Sequence, residues 1–236
     1  MATFSVVATP IGNLEDISLR ALETLKKVDL VLCEDTRVTK KLFARHGLNT
    51  RTLSYHAHSS LARVEEIVAT LREGKDLALV SDAGTPGISD PGAELVGRIR
   101  ELLAAEIGLG SVRIEAIPGP SALVAALSIA GVPCADFTFL GFLPHKKGRQ
   151  TLFAEIAGSK RTIVFYESPH RISKTLETLS LDQMSTKKVS VCRELTKVFE
   201  EVVAGSAKEV ADYFHSHPDK VRGEFVVIVS EQKKTL

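Results

Sequence analysis

The segment best suited to bind a ligand is the glycine- and proline-rich run S-D-A-G-T-P-G-I-S-D-P-G at positions 81–92. Glycine lets a ligand approach the backbone closely, and proline stiffens the surrounding loop. Asp82 follows an apolar run and can accept hydrogen bonds from ribose hydroxyls or an amino group. Asp90 precedes Pro91, a pattern typical of a helix N-cap, so we expect Asp90 to be structural. The segment predicts a rigid ligand-binding loop.

Two further turns share this character. T-P-I-G-N-L begins at Thr9, and P-G-P-S-A occupies positions 118–122. Each leads from a predicted strand into a predicted helix, where backbone N–H groups become available to an anion. The first turn lacks the G-x-G-x-x-G spacing, which argues against dinucleotide binding and leaves a plain tight turn as an equal alternative. The second turn lies at a predicted domain junction, a favoured place for ligand clefts.

Charged residues are concentrated in C-E-D-T-R, at positions 33–37. Adjacent charges at a strand end cost free energy unless they are solvated, paired or used. Asp35 or Thr36 fits the N-cap of a following helix, which would make the acidic residues structural. Arg37 is available to an anion. The capping and ligand-binding interpretations both stay open for this motif.

Positive charge is concentrated in the second half of the chain. The motifs are F-Y-E-S-P-H-R at 165–171 and R-E-L-T-K at 193–197, together with Lys146, Lys147 and Arg149. Such residues commonly form surface salt bridges of little energetic value. The alternative is a surface that binds phosphates. The formal net charge is only +1, but phosphate contacts need a local patch and not a basic average.

Composition excludes several classes of protein. The chain is 44% hydrophobic and 25% charged, as is usual for a globular protein. No apolar run approaches the ~20 residues that a membrane helix needs, and the first residues lack the pattern of a signal peptide. We therefore expect a cytoplasmic protein. No metal site is expected, because His56 and His58 have no supporting Cys or carboxylate cluster.

The elements that position these motifs alternate in the first half of the chain. Strands are predicted at 3–9, 29–33, 51–55, 77–80 and 112–117, and helices at 14–27, 37–46, 61–72 and 93–103. This alternation predicts an N-terminal α/β domain, residues 1–117, with a doubly wound parallel sheet. Most of these strands are continuously apolar, as expected when helices cover both faces of the sheet.

The pattern changes after residue 117. Helices are predicted at 121–130, 149–156, 170–179 and 207–214, and strands at 162–166, 188–193, 198–204 and 224–229. Adjacent strands with few crossovers favour a mixed or antiparallel sheet. The sequence thus predicts a C-terminal α+β domain, residues 118–236, with a ligand cleft between the domains.

In order, the motifs V-A-T-P-I-G-N-L-x-D, C-E-D-T-R, S-D-A-G-T-P-x-I-S-D-P-G, P-G-P-S-A, F-x-G-F-L-P, F-Y-E-S-P-H-R, R-E-L-T-K and R-G-E-F-V-V-I-V resemble one family. It is the ribosomal RNA small subunit methyltransferase I family, within the tetrapyrrole methylase fold of class III S-adenosylmethionine-dependent methyltransferases. The resemblance spans residues 6–229. It departs from the family at Ser59-Ser60, where members often carry Asn-Glu, and the chain ends soon after the last predicted strand.

The resemblance implies a two-lobed homodimer that binds S-adenosylmethionine in its cleft. It also implies a partner, the small ribosomal subunit, in which the ribose 2′-hydroxyl of a decoding-centre cytidine of the 16S rRNA accepts the methyl group. Carried over by motif, the cofactor-binding residues are Pro10, Asp82, Ala83, Gly84, Ile88, Ser121, Ala122, Tyr166 and Gly223.

A ribose hydroxyl becomes nucleophilic only when a base removes its proton or a cation stabilises the alkoxide. Our hypothesis gives the role of phosphate ligand or hydroxyl-polarising cation to Arg37, Arg171, Arg193 and Lys197. Glu34 or Asp35 is the candidate base. Two alternatives stay open: a tetrapyrrole C-methyltransferase, whose members read S-G-D-P where this chain has S-D-A-G-T-P, and a catalytically inactive ribosome-binding homologue.

Overall fold

The computed structural model describes residues 1–56, 59–181 and 186–231. The chain divides into two compact units, Met1–Ser121 and Ala122–Leu236. The division falls four residues after the predicted boundary at 117, because the turn at 118–120 packs on the first unit. The Thr85 hydroxyl donates to the Pro120 carbonyl oxygen at 3.1 Å, and a Cβ on Gly119 would lie 3.0 Å from the Cβ of Ala8. The cofactor cleft expected between the domains stays a prediction.

The N-terminal unit contains a parallel sheet in the order β3-β2-β4-β1-β5. Its strands are β1 Ala2–Val7, β2 Leu30–Cys33, β3 Thr52–Ser54, β4 Leu77–Leu79 and β5 Val112–Ile117. Its helices are α1 Leu19–Lys27, α2 Thr36–His46, α3 Leu61–Arg72, α4 Gly92–Leu102 and α5 Ala104–Gly108. The predicted doubly wound parallel sheet is confirmed.

Both faces of this sheet are covered by helices. On one face, Val7 and Val31 pack with Leu25 of α1 and Leu42 of α2. On the other, Phe4, Leu32 and Leu77 pack with α3 and α4. Fully burying a side chain of this size contributes about 1.5–3 kcal/mol, which explains why the strands read as continuous apolar runs.

One helix prediction for this unit needs correction, and one helix was missed. The predicted helix 14–27 is a 3-10 turn, Leu14–Asp16, followed by α1. The break arises because the Ser18 hydroxyl accepts from the Ala21 N–H at 3.1 Å and caps α1. Helix α5 was not predicted, because it is a single short turn after Leu103 whose pattern is too brief to detect.

The C-terminal unit contains a mixed sheet in the order β6-β7-β10-β8-β9, in which β6 and β7 pair in parallel and the other neighbours pair antiparallel. Its strands are β6 Phe137–Phe142, β7 Thr162–Glu167, β8 Lys187–Arg193, β9 Glu201–Ser206 and β10 Phe225–Glu231. Its helices are α6 Ala122–Ile129, α7 Arg149–Gly158, α8 Ile172–Leu179 and α9 Ala207–Ser216. The predicted α+β architecture is confirmed. Within the described ranges, no helix is long and apolar enough to cross a membrane.

One strand of this unit begins later than predicted. The apolar letters at Val198 and Phe199 suggested a strand over 198–204, but both side chains are exposed, at 93% and 68%, and β9 starts at Glu201. Local turns hold the preceding residues out of the sheet: the Lys197 N–H donates to the Glu194 carbonyl oxygen, and the Glu200 N–H to that of Lys197. Glu194 also has a left-handed backbone, with φ +51°.

Candidate functional site

The first group of predicted residues lies at the carboxyl edge of the parallel sheet. Strand β4 lies between β2 and β1, and the helix that follows β4 covers the opposite face from the helices that follow β1 and β2. Neighbouring connections therefore leave the sheet edge toward opposite faces. Ligands of open α/β sheets bind beyond the carboxyl ends of strands at such points. The strand order thus places the loops after β1 and β4 where a ligand is expected.

These two loops are bonded to each other. The Thr9 N–H donates to the Gly84 carbonyl oxygen at 2.9 Å, and the Gly84 N–H to that of Thr9 at 3.1 Å. The buried Thr9 hydroxyl also donates to the Ser81 carbonyl oxygen at 3.0 Å. Gly84 has φ +84°, which favours glycine, and a Cβ there would lie 3.3 Å from Ile11. Pro10 and Gly84 are therefore brought together by Thr9, which the sequence reasoning missed although it begins the T-P-I-G motif.

The loop after β5 joins the same edge. Besides the bond from Thr85 to Pro120, the Ala8 N–H donates to the Ile117 carbonyl oxygen at 3.1 Å. Ser121 ends this loop and is half-buried, while Ala83 and Ile88 are exposed on the loop after β4. The structure therefore collects six of the carried-over cofactor residues at one sheet edge: Pro10, Asp82, Ala83, Gly84, Ile88 and Ser121.

Asp82 connects this edge with the C-E-D-T-R motif. One of its carboxylate oxygens accepts the Asp35 N–H at 3.0 Å. A carboxylate has further acceptor sites with which it can bind a ligand hydroxyl or amino group. Asp90, by contrast, is used within its loop, where it accepts the N–H groups of Gly87 and Gly92. Asp90 is therefore a structural residue, but it is not the predicted N-cap, because α4 begins at Gly92 and its N-cap is Pro91.

The acidic residues of C-E-D-T-R differ in their surroundings. Asp35 is the N-cap of α2, and bonds from the side chain and backbone of Arg37 lower the pKa of Asp35 to about 2. Glu34 is exposed at the end of β2. The pKa of its carboxyl group is raised, first by partial desolvation of that group and then by the negative charges of Asp82 and Asp90. Arg37 is exposed and its guanidinium pairs with Asp35 at 2.6 Å, and the availability of Arg37 to an anion stays a prediction.

Tyr166 and Ala122 lie in the C-terminal unit. Ala122 is the first residue of α6, and Tyr166 is half-buried near the end of β7. Burial raises the pKa of the Tyr166 phenol, and a hydrogen bond with the Leu123 backbone opposes this. Edge-to-face contacts with Phe139 and Phe142, at ring-centroid distances of 5.0 and 5.4 Å, fix the phenol ring.

Gly223 is held against Glu194. Its φ is +85°, which favours glycine, and a Cβ there would clash with the Glu194 side chain. That carboxylate accepts from the Lys197 ammonium at 2.9 Å and from the Glu224 N–H at 3.0 Å. Burial opposes ionisation of Glu194, but these bonds outweigh it and lower its pKa. Lys197 also bonds Glu224 at 2.7 Å. The structure therefore uses Lys197 in an internal network and not as a free phosphate ligand.

The F-Y-E-S-P-H-R motif forms a buried ionic network around Glu167. Its fully buried carboxylate forms an ion pair with the Arg171 guanidinium at 2.8 Å and accepts from the Ser168 N–H at 2.9 Å and the Thr175 hydroxyl at 2.7 Å. The Arg149 guanidinium lies 3.4 Å from the same carboxylate. Arg149 and Arg171 are therefore directed inward, contrary to the expectation that they bind phosphate. Sequence reasoning missed Glu167 and Thr175, because a buried carboxylate with two arginines cannot be told from a surface charge by residue type.

Arg193 is likewise an internal residue. Its guanidinium is buried and donates to the carbonyl oxygens of Arg222 at 3.0 Å and Phe199 at 3.2 Å. Glu201 lies 3.8 Å away. This arrangement joins the segment before β9 to the segment before β10, which corrects the hypothesis that Arg193 is a substrate-binding cation.

From the sequence, His56 and His58 were weighed as metal ligands and no metal site was expected. His58 lies outside the described residues. Among the residues that the structure describes, no group of three or more His, Cys, Asp or Glu side chains is placed to hold a metal ion.

Comparison with known proteins assigns this arrangement to a class. Residues 3–211 match the family described as Tetrapyrrole (Corrin/Porphyrin) Methylases. The solved structure of a cobalt precorrin-4 methyltransferase of cobalamin biosynthesis superimposes with a TM-score of 0.63 at 21% identity, covering 97% of this chain and 94% of that chain. The fold and its carboxyl-edge loops therefore define a member of the tetrapyrrole methylase family.

Sequence relatives narrow the class further. A protein of Mesorhizobium japonicum named "Ribosomal RNA small subunit methyltransferase I" is 44% identical over 95% of this chain and 74% of its own length. A Thermotoga maritima protein of the same name is 41% identical over 98% of this chain and 99% of its own length. The chain belongs to the ribosomal RNA small subunit methyltransferase I family. The resemblance inferred from the motifs is confirmed.

Proposed function

We propose that this protein is an S-adenosylmethionine-dependent methyltransferase that acts on the RNA of the small ribosomal subunit. The observation that carries the proposal is the identity of 41–44% to the two relatives of that name over nearly the whole chain. The three bonded loops at the carboxyl edge of the N-terminal sheet support it, because they supply a built ligand site.

The chemistry of these loops fits S-adenosylmethionine, which supplies an electrophilic methyl group on a sulfonium. Asp82 can accept from ribose hydroxyls or the amino group, while the backbone around Gly84 and Gly87, with φ +84° and +88°, permits close approach. The residues that would hold the cofactor are Pro10, Asp82, Ala83, Gly84, Ile88, Ser121, Ala122, Tyr166 and Gly223. The sulfonium loses its charge during methyl transfer, so carboxylates beside the sulfur would stabilise the ground state more than the transition state. We therefore assign Asp82 to the ribose or amino end.

Cofactor binding can be tested separately from activity. Hydrogen bonds to charged groups contribute about 1.5–3 kcal/mol, so D82N should bind S-adenosylmethionine roughly 10- to 100-fold more weakly in isothermal titration calorimetry. The amide oxygen of the substituted side chain can still accept the Asp35 N–H, so the melting temperature should stay unchanged. Equal affinity in D82N and the unsubstituted protein would exclude Asp82 from the site.

For the acceptor, we propose the ribose 2′-hydroxyl of a decoding-centre cytidine, with Glu34 as the base that removes its proton. Glu34 is better suited than Asp35, because its raised pKa brings it closer to neutral pH, whereas a carboxylate with a pKa of about 2 is a weak base. We further propose that the protein works as a cytoplasmic homodimer. The family resemblance supports both the proposed acceptor and the homodimer. Light scattering on the purified protein measures the oligomeric state.

The decisive experiment incubates the protein with methyl-labelled S-adenosylmethionine and small ribosomal subunits that lack native methylation, followed by RNA digestion. Label on one cytidine ribose supports the proposal in full, and label elsewhere in the small-subunit RNA supports only the substrate class. A parallel reaction supplies uroporphyrinogen III. Label in the tetrapyrrole alone would replace the proposal with a C-methyltransferase. Cofactor binding without label in either would favour an inactive ribosome-binding homologue.

A further inference from the structure

The loop between β6 and α7 presents two adjacent lysines, next to a histidine, that no other part of the described chain neutralises. His145, Lys146 and Lys147 are consecutive, and all three side chains are exposed. Among the described residues, their side chains make no ion pair. By contrast, the exposed Lys27, Lys75 and Lys208 each pair with a neighbouring carboxylate. The loop is therefore a local positive surface on a protein of formal net charge +1.

The buried network beneath the loop fixes its position. The Arg171 guanidinium donates to the Leu143 carbonyl oxygen at 2.8 Å, and the Arg149 guanidinium to that of Pro144 at 3.1 Å. Both arginines are held by Glu167, so two positive charges meet one negative charge there and leave a net charge of +1 under the loop. Arg149 and Arg171 are thus positioning residues for the segment that carries the lysines.

An exposed aromatic ring adjoins these cations. Phe142, the last residue of β6, is 57% exposed, and its ring contacts Tyr166 edge-to-face. Single-stranded RNA is bound by cations that contact the phosphates and by aromatic side chains on which bases stack. A protein surface that bound only an inorganic anion would have no use for the ring.

We propose that Phe142 and residues 143–148, here termed the RNA loop, bind a single-stranded segment of the substrate RNA. Lys146 and Lys147 contact phosphates, and Phe142 stacks on a base. The choice of RNA as the ligand rests on the proposed function, whereas the positive, aromatic surface is a property of the structure. The Phe142 ring also contacts Tyr166, one of the carried-over cofactor residues.

The test measures the affinity for small-subunit rRNA transcribed in vitro at several salt concentrations. For single strands the slope of log K against log salt is about −0.7 per phosphate contact, so K146A/K147A should reduce the slope by about 1.4. If counterion release accounts for the whole effect, binding at 0.1 M salt should weaken about 25-fold. F142A should weaken binding about tenfold with an unchanged slope, because stacking is not electrostatic.

The control is K26A/K27A, which removes two positive charges from an adjacent exposed pair at the end of α1, where Lys27 pairs with Glu23. It should leave both the affinity and the slope unchanged. The cofactor affinity and melting temperature of K146A/K147A should equal those of the unsubstituted protein, whereas F142A, which removes a ring contact of Tyr166, is compared for RNA affinity and salt slope only. If K146A/K147A binds RNA like the control while the unsubstituted protein methylates subunits, the RNA loop is refuted and the function stands. If the unsubstituted protein neither binds nor methylates rRNA, both proposals fail.

Discussion

The buried network around Glu167 makes the C-terminal unit sensitive to the loss of one charge. In E167Q the side chain keeps its size, but the amide retains a single oxygen acceptor and directs an N–H₂ group toward one of the guanidiniums. The side chains of Arg149 and Arg171 are only 14% and 17% exposed. Removing one partner of a buried ion pair costs about 3–5 kcal/mol, because the remaining charge is uncompensated. We therefore expect E167Q to lower the free energy of unfolding by that amount.

For a chain of this size, 1 kcal/mol shifts the melting temperature by about 3 °C, so E167Q should melt roughly 10–15 °C lower. Differential scanning calorimetry and urea titration measure the change. E155Q is the matched control, since Glu155 is exposed on α7 and undergoes the same change of charge. A melting temperature for E167Q within about 2 °C of that of E155Q would mean that water already solvates the network, and the assignment of Arg149 and Arg171 as buried positioning residues would be withdrawn.

The same contacts support three more predictions. If Glu34 is the base, the unsubstituted enzyme should lose activity at low pH as Glu34 is protonated, and E34Q should lower the rate of methyl transfer about 100-fold or more and lack this low-pH loss, whereas D35N should keep the rate; equal rates in both would exclude Glu34 as the base. The pKa of Asp35 is lowered from 3.8 to about 2, so its ionised cap stabilises the fold above about pH 4 and this contribution is lost toward about pH 2; the difference in melting temperature between D35N and the unsubstituted protein should shrink over that range. G223A should cost at least about 1–2 kcal/mol in urea unfolding from its left-handed backbone, whereas G97A in α4, where a Cβ meets no atom within 4 Å, should be neutral or stabilising.

The sequence predicted the N-terminal fold well because its signals are local. Continuous apolar runs give buried parallel strands, and the helix of residues 61–72 was predicted with the bounds that the structure has. The strand order could not be predicted, because nothing local decides that β4 lies between β2 and β1. The same limit applies to the bond between Thr9 and Gly84, which joins residues 75 positions apart.

The candidate site also has one part that the sequence predicts and one part that it does not. The glycine loop carries its own signal, because its glycines and Asp90 are visible as residue types, although the structure makes Pro91 and not Asp90 the N-cap of α4. Cations carry no such signal, since the sequence cannot say whether an arginine points to solvent or to a buried carboxylate. Arg171, Arg193 and Lys197 were grouped as phosphate ligands on charge alone, and each instead holds a carboxylate or a backbone carbonyl of the chain.

The difference between arginine and lysine side chains explains why the arginines of the motifs need not be the cations that bind the substrate. A guanidinium has five donors in a fixed planar arrangement, which suits it to join several backbone segments at once. A lysine on an exposed loop makes a single adaptable charge contact, which suits a phosphate whose position varies along a flexible strand. Arg171 joins Glu167 to Leu143, and Arg149 joins Glu167 to Pro144. The chain therefore uses its arginines to fix the RNA loop and leaves Lys146 and Lys147 for the ligand.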